Sequence, residues 1–137
     1  MKTYTLALDE IEKLVEIVLE SFDEGVVILR GDLAAGKTTF VKAVAKKLGV
    51  QEDVTSPTFS LQQCYGERLF HYDIYNHGLE HFLSLGMLEE LDKTGYHFIE
   101  WGDDKLIEML QSVGIEVISI DIDKIENDKR EYKICTY

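Results

Sequence analysis

Arginine is scarce in this chain: Arg30, Arg68 and Arg130 are its only three among 137 residues. A kinase acting on small molecules generally closes a lid with several arginines over the transferred phosphoryl group, and no long basic insertion is present to form one. Proline occurs once, at Pro57. Cysteine occurs twice, at Cys64 and Cys135, far apart, with no C-x-x-C and no clustered histidines, so no zinc ligand set exists. Both cysteines fall in strand-like stretches and are expected to be small buried hydrophobes. No apolar run approaches the ~20 residues that span a bilayer. The opening "MKTYTLALDEIEKL" already carries acids and does not read as a signal peptide. The expectation is a cytoplasmic protein used at full length. Repeats, low-complexity tracts and linkers are also missing.

Positive charge is in deficit. The 26 acidic residues outnumber 14 basic ones, for a formal net charge of −12. Gripping nucleic acid depends largely on Lys and Arg neutralising phosphates, so a broad direct hold on RNA or DNA is not expected. The acidic shell serves solubility, or it meets a partner with a basic face.

What is present is an ordinary globular mix, 45% hydrophobic and 29% charged. "TYTLAL" reads as a short strand. "DEIEKLVEIVLESF" has apolar residues at helical spacing behind Asp9 as the expected cap. "GVVIL" has the continuous apolar character of a buried parallel strand. "KTTFVKAVAKKLG" reads as a helix ended by Gly49, and "QEDVTSPTFS" as a loop. "FSLQQCY" and "RLFHYDIY" suggest a hairpin turning at Gly66-Glu67. "GLEHFLSLGMLEELD" is helical with a break at Gly86. "GYHFIEWG" reads as a strand, "DKLIEMLQSVG" as a helix, and "IEVISIDI" and "REYKICTY" as closing strands. Alternation of this kind predicts an α/β sandwich with a mainly parallel central sheet.

Between "GVVIL" and its following helix lies "GDLAAGKTT", Gly31 to Thr39. Gly31, four residues, then Gly36-Lys37-Thr38 is the G-x-x-x-x-G-K-[ST] phosphate loop. With glycine near ~7% of residues, chance produces it in well under roughly one chain in a hundred. The required strand before and helix after are both predicted. Backbone N–H groups of the loop and of the helix start would face phosphates, where the helix dipole favours negative charge. Lys37 would reach the β- and γ-phosphates, and the Thr38 hydroxyl would bind Mg²⁺. The fold expectation is therefore one P-loop NTPase-like domain over residues 1–137. Its mainly parallel sheet carries antiparallel additions, with helices on both faces.

A nucleotide's magnesium also needs an acid at the end of a nearby strand. "LFHYD" delivers Asp73 and "YHFIE" delivers Glu100. No N-K-x-D is present to read guanine; "NDKR" at Asn127 to Arg130 has the wrong order, and the D-x-x-G at Asp92 to Gly95 follows a helix. ATP is the expected nucleotide. Arg130 opens the last strand, within reach of a base or ribose.

Four ordered stretches, "GDLAAGKTT", "TSPTF", "HYDIYN" and "IEWG", resemble the TsaE (YjeE) family, the ATPase component of bacterial tRNA threonylcarbamoyladenosine biosynthesis. The resemblance implies a small ATPase that joins a TsaD–TsaB complex. That complex, not the ATPase, modifies the adenosine beside the anticodon of tRNAs reading A-starting codons. It implies phosphate-binding roles for Gly31, Ala34, Ala35, Gly36, Lys37, Thr38 and Thr39, with Thr38 and Glu100 on magnesium. Thr55, Ser56, Pro57 and Thr58 correspond to a switch-like segment ending at Phe59. His71, Asp73 and Tyr75 match a motif implicated in hydrolysis, and Trp101 matches a tryptophan near the nucleotide. Ala34 stands where the family usually has glycine, and Asn76 where it usually has arginine. Each residue also has a plainer reading: His71 packed in a strand, Tyr75 and Trp101 as core or rim aromatics, Pro57 stiffening a turn. Two other functions stay open, a P-loop kinase of small molecules and a nucleotide-dependent interaction module without turnover.

Overall fold

The computed structural model describes residues 1–21, 23–32, 35–51, 62–75, 78–126 and 128–137. Seven strands form one sheet: β1 (Lys2–Ala7), β2 (Gly25–Arg30), β3 (Gln62–Tyr65), β4 (Leu69–Asp73), β5 (Tyr96–Glu100), β6 (Val117–Lys124) and β7 (Lys129–Thr136). Their spatial order is β1-β7-β6-β2-β5-β4-β3. The central four, β6, β2, β5 and β4, run parallel. β7, β1 and β3 are added antiparallel at the two sides. This is the predicted α/β arrangement, and its physical cause is composition. β2 is apolar from Gly25 to Leu29, and β5 is buried at every position although it carries His97 and Glu100, because both faces of the two strands are covered.

Residues alternate between those faces. On one side Val27, Leu29, Leu69 and Phe98 pack with α1 (Ile11–Ser21) and α2 (Lys37–Lys47). On the other, Val26, Ile28, Phe70, Tyr72 and Ile99 pack with α3 (Gly78–Ser84), α4 (Met87–Glu90) and α5 (Asp104–Ser112). α1 presents Leu14, Val15 and Val18 inward; a fully buried side chain of this kind contributes about 1.5–3 kcal/mol. Asp103 caps α5, its carboxylate accepting from the Leu106 N–H at 2.9 Å. The helical stretch after Gly78 breaks at Gly86 as expected.

Two local expectations are corrected. Asp9 is not the cap of the first helix. It lies inside a 3-10 turn, Leu8–Glu10, and the Glu10 carboxylate reaches back to the Ala7 N–H at 3.0 Å. The cysteines are on strands but not buried: Cys64 is exposed and Cys135 half-buried. β3 is an edge strand with a neighbour on one side only, which is why strand character did not bring burial to Cys64.

Candidate functional site

Sheet topology gathers the predicted residues at the C-terminal ends of β2, β5 and β4. Leu29 and Asp73 both stand opposite Glu100, so the two carboxylate-bearing strand ends finish level with the start of the loop. Period-two alternation also decides direction. Counting from buried Phe98 beside α2, Glu100 falls on the same face; counting from Leu69, so do His71 and Asp73. All three acid and imidazole groups therefore project toward the helix that follows the loop.

Gly31 leaves β2 under severe steric restriction. A Cβ there would lie 2.6 Å from the Ile122 carbonyl oxygen, a contact between two backbones. Gly36 serves differently: it adopts φ +114° in open space at the N-terminus of α2, a conformation L side chains avoid. Ala34 lies outside the described residues, as do Asn76 and the segment 52–61 that includes Thr55, Ser56, Pro57 and Thr58.

Lys37 is 5% exposed. Its Nζ donates to the Gly31 carbonyl at 2.7 Å and the Asp32 carbonyl at 2.9 Å. The same nitrogen sits 4.0 Å from the ring centroid of Trp101, a cation–π contact. Burial lowers the amine's pKa, and the charges of Glu100, Asp73 and Asp32 work against that. A lysine has three N–H bonds; two are used on the loop, which leaves one for an incoming anion.

Glu100 is buried and draws two donors onto one oxygen. Thr38 Oγ1 donates to its Oε2 at 2.8 Å, and His71 Nε2 lies 2.5 Å from the same atom. His71 is fully buried, and its Nδ1 has no partner among the described residues. Asp73, also buried, accepts the Tyr75 N–H at 2.9 Å. Tyr75 in turn packs on Trp101, ring centroids 4.5 Å apart. Trp101 holds φ +72°, unlike any other non-glycine residue described, and its N–H continues the ladder to the Leu29 carbonyl at 3.1 Å. Strain of this kind costs about 1–3 kcal/mol and tends to mark functional sites.

The arginines divide. Arg30 follows Leu29 and so faces the α5 side, where it bonds Asp121 and Asp104, each at 2.7 Å. Arg68 lies in the β3–β4 turn at the opposite end of the strands and donates to the Asp23 carbonyl. Arg130 reaches the loop: its Nε donates to the Ala35 carbonyl at 3.1 Å.

The sequence pattern of the family described as "Threonylcarbamoyl adenosine biosynthesis protein TsaE" matches residues 5–132. The chain belongs to the TsaE family. A relative from Treponema pallidum, named "tRNA threonylcarbamoyladenosine biosynthesis protein TsaE", is 43% identical over 110 residues, covering 75% of this chain and 82% of that one. The protein of the same name from Rickettsia conorii is 32% identical, covering 93% and 74% respectively. Among solved structures, YdiB of Bacillus subtilis superposes with a TM-score of 0.71 at 28% identity, over 98% of this chain and 86% of its own.

Two features of this TsaE-family site escaped sequence reasoning. One is the seat of Lys37 on Trp101, for which the only signal was a lone tryptophan directly after the strand-terminal acid. The other is a buried polar chain behind the site. His97 Nε2 donates to the Lys93 carbonyl at 2.7 Å, which makes Nδ1 the acceptor for the Tyr72 hydroxyl, also at 2.7 Å. Gln62 bonds both that hydroxyl and Glu90. Nothing in the spacing of the sequence paired His97 with Tyr72.

Proposed function

We propose that the chain binds Mg–ATP at this loop, hydrolyses it slowly alone, and supports a TsaD–TsaB-type complex in tRNA threonylcarbamoyladenosine biosynthesis. The observation that carries this is the Lys37–Thr38 pair. Lys37 is braced by two loop carbonyls with one N–H to spare, and Thr38 is already bonded to the strand-terminal acid Glu100. Among the described residues no group of three or more His, Cys, Asp or Glu could hold a metal. Mg²⁺ fits this, since it is usually held by one or two protein oxygens together with phosphate oxygens and water. Thr38 and Glu100 would hold it, and when bound it neutralises charge across the β- and γ-phosphates.

The remaining steps belong to the chain's own groups. Gly36, Lys37, Thr38 and Thr39 present N–H groups from the start of α2, whose dipole favours the anion. His71 fixes the orientation of Glu100 through their short contact. Asp73 stands level with Glu100 and orients the attacking water. Among the described residues, Lys37 and the metal would supply the positive charge at the terminal phosphates, and the guanidinium of Arg130 is bonded to the Ala35 carbonyl of the loop. Arg30 is committed to two aspartates and Arg68 lies at the far end of the sheet. A supplied arginine is worth roughly 10³ to 10⁵ in rate, so slow turnover alone is the expectation, and the same shortage weighs against a small-molecule kinase. No helix among the described residues is long and apolar enough to cross a membrane.

Phosphate release measured with and without the TsaD–TsaB pair, for the natural chain and Lys37→Ala, tests the proposal. Slow release alone, acceleration by the pair, and its loss in Lys37→Ala are expected. Fast release that ignores the pair, or full activity in Lys37→Ala, overturns it.

A further inference from the structure

Among the described residues the sheet has two open edges, β3 on one side and β1 on the other. β3 is four residues long and β1 is six. Edge strands are usually guarded by charge, proline or a bulge. β1 carries no proline, and its only charge is Lys2, at its start. Register shows which of its backbone groups stay outside the sheet. The Leu8 N–H donates to the Asp128 carbonyl, which continues the pairing of Leu6 with Arg130 and Tyr4 with Tyr132. Residues in an antiparallel pair alternate between bonding the neighbour and pointing away from it. Lys2, Tyr4, Leu6 and Leu8 therefore bond toward β7, while the N–H and C=O groups of Thr3, Thr5 and Ala7 point outward. The Glu10 carboxylate takes the outward Ala7 N–H at 3.0 Å. Thr3 and Thr5, both exposed, keep theirs open.

The open stretch, Thr3-Tyr4-Thr5, reads the same in both directions. Laid antiparallel on itself about Tyr4, it sets Thr3 of each copy opposite Thr5 of the other. Every outward N–H and C=O of the two threonines is then paired. Other registers do worse. A slip of one residue sets side chains of opposite faces against each other. A slip of two toward the helix calls on the Ala7 N–H that Glu10 already holds. In the Tyr4-centred register, Tyr4 meets Tyr4 at a non-hydrogen-bonded position, where cross-strand side chains come closest. The threonines pair on the opposite face. Lys2 comes beside Leu6 of the other copy, next to the Glu10 carboxylate at that end of the edge.

We infer that β1 is a self-association edge. A second copy of this chain adds its own β1 antiparallel, about a two-fold axis at Tyr4, and the two sheets become continuous. The interface is isologous and closes on itself. β1 runs in the same direction as β2, since both β1 and β6 are antiparallel to β7 and β6 is parallel to β2. The two phosphate loops therefore sit at opposite ends of the joined sheet, and neither is covered. The inference does not depend on what the loop binds. A six-residue edge makes a small contact, of the weak, transient class below about 1,200 Å². Each copy carries a formal charge of −12, so the copies repel at low ionic strength and salt screening strengthens the dimer.

Sedimentation equilibrium of the full chain, from micromolar to millimolar concentration at low and moderate salt, tests this. Reversible dimers that grow with concentration and with salt are expected. Thr5→Pro removes an outward N–H and leaves every bond to β7 in place. It should weaken dimerisation about tenfold or more, because one hydrogen bond is lost from each copy. Cross-linking is a second readout that needs no proline. In a chain carrying Cys64→Ser and Cys135→Ser, Tyr4→Cys places two thiols on backbones about 4.5 Å apart, within disulfide range. A glutathione redox buffer should yield a disulfide-linked dimer from Tyr4→Cys and none from Lys2→Cys, whose two copies lie far apart along the strands. A chain that stays monomeric at every concentration and salt overturns the inference. So does dimerisation unchanged in Thr5→Pro, which would place the contact elsewhere, or equal cross-linking through the two positions.

Discussion

Replacing Gly31 with alanine places one methyl group where two backbones already meet. Its Cβ would lie 2.6 Å from the Ile122 carbonyl oxygen and 3.1 Å from the Ala35 Cβ. Neither side yields easily. Ile122 belongs to β6, which is paired on both sides, with β2 and with β7, and Gly31 directly follows β2. Relief therefore has to come from the loop, at a cost of about 1–3 kcal/mol, the usual range for forced overpacking. For a chain of this length that lowers the melting temperature by roughly 3–10 °C. Function should suffer as well. The displaced residue carries the carbonyl that holds Lys37 Nζ at 2.7 Å, and a hydrogen bond to a charged group is worth about 1.5–3 kcal/mol. With the amine no longer held in place before ATP arrives, the Kd for ATP should rise, by up to about tenfold if roughly 1.4 kcal/mol of that bond acts as pre-organisation. Thermal melting followed by circular dichroism and an ATP titration on the same sample read both effects. A Gly31→Ala protein that melts within about 1 °C of the natural chain and binds ATP equally well would refute this account of the loop's origin.

Behind the site, Tyr72→Phe should cost about 1–3 kcal/mol, because it strips the donor from a fully buried His97 Nδ1 that no water can reach. A urea midpoint shift worth less than about 0.5 kcal/mol would show that the pair contributes nothing. His97 also sets a pH dependence: burial, opposed by its bond to the Lys93 carbonyl, holds its pKa below the usual 6.5. As pH falls below that value the unfolded chain takes up a proton that the folded chain refuses, so stability declines from there until the lower folded pKa is reached, by at most about 1.4 kcal/mol per pH unit. Urea midpoints at pH 7.5 and 5.5 should accordingly diverge more in the natural protein than in His97→Gln, and identical divergence would remove His97 from the explanation.

Much of the architecture was readable because its signals are local. The apolar runs of β2 and β5, the helical spacing of Leu14, Val15 and Val18, and the break at Gly86 each depend on a few neighbouring residues. The loop was readable for the same reason, and so were the two strands ending in acids, Asp73 and Glu100; that they finish level comes from the pairing register. What escaped depends on partners distant in the chain. Asp9 looks like a cap until Glu10 is seen folding back on Ala7. Cys64 looks buried until β3 proves to be an edge. Arg30, adjacent to the loop in sequence, faces the wrong side because strand residues alternate, and it is bonded to Asp104 and Asp121 instead. Arg130, ninety-five positions from Ala35, is the arginine that arrives.

Glu100 and Trp101 are consecutive, yet one holds the threonine of the loop and the other the lysine. The left-handed turn at Trp101 lets a single peptide unit serve both neighbours. Chain length at this point is consequently as constrained as residue identity. A residue inserted between them would swing the indole away from the amine while the carboxylate stayed behind, and a deletion would pull the acid out of register with Asp73. Drift in this lineage can exchange side chains around the pair, but insertions and deletions have to be accommodated elsewhere, in segments such as the β3–β4 turn that no part of the site depends on.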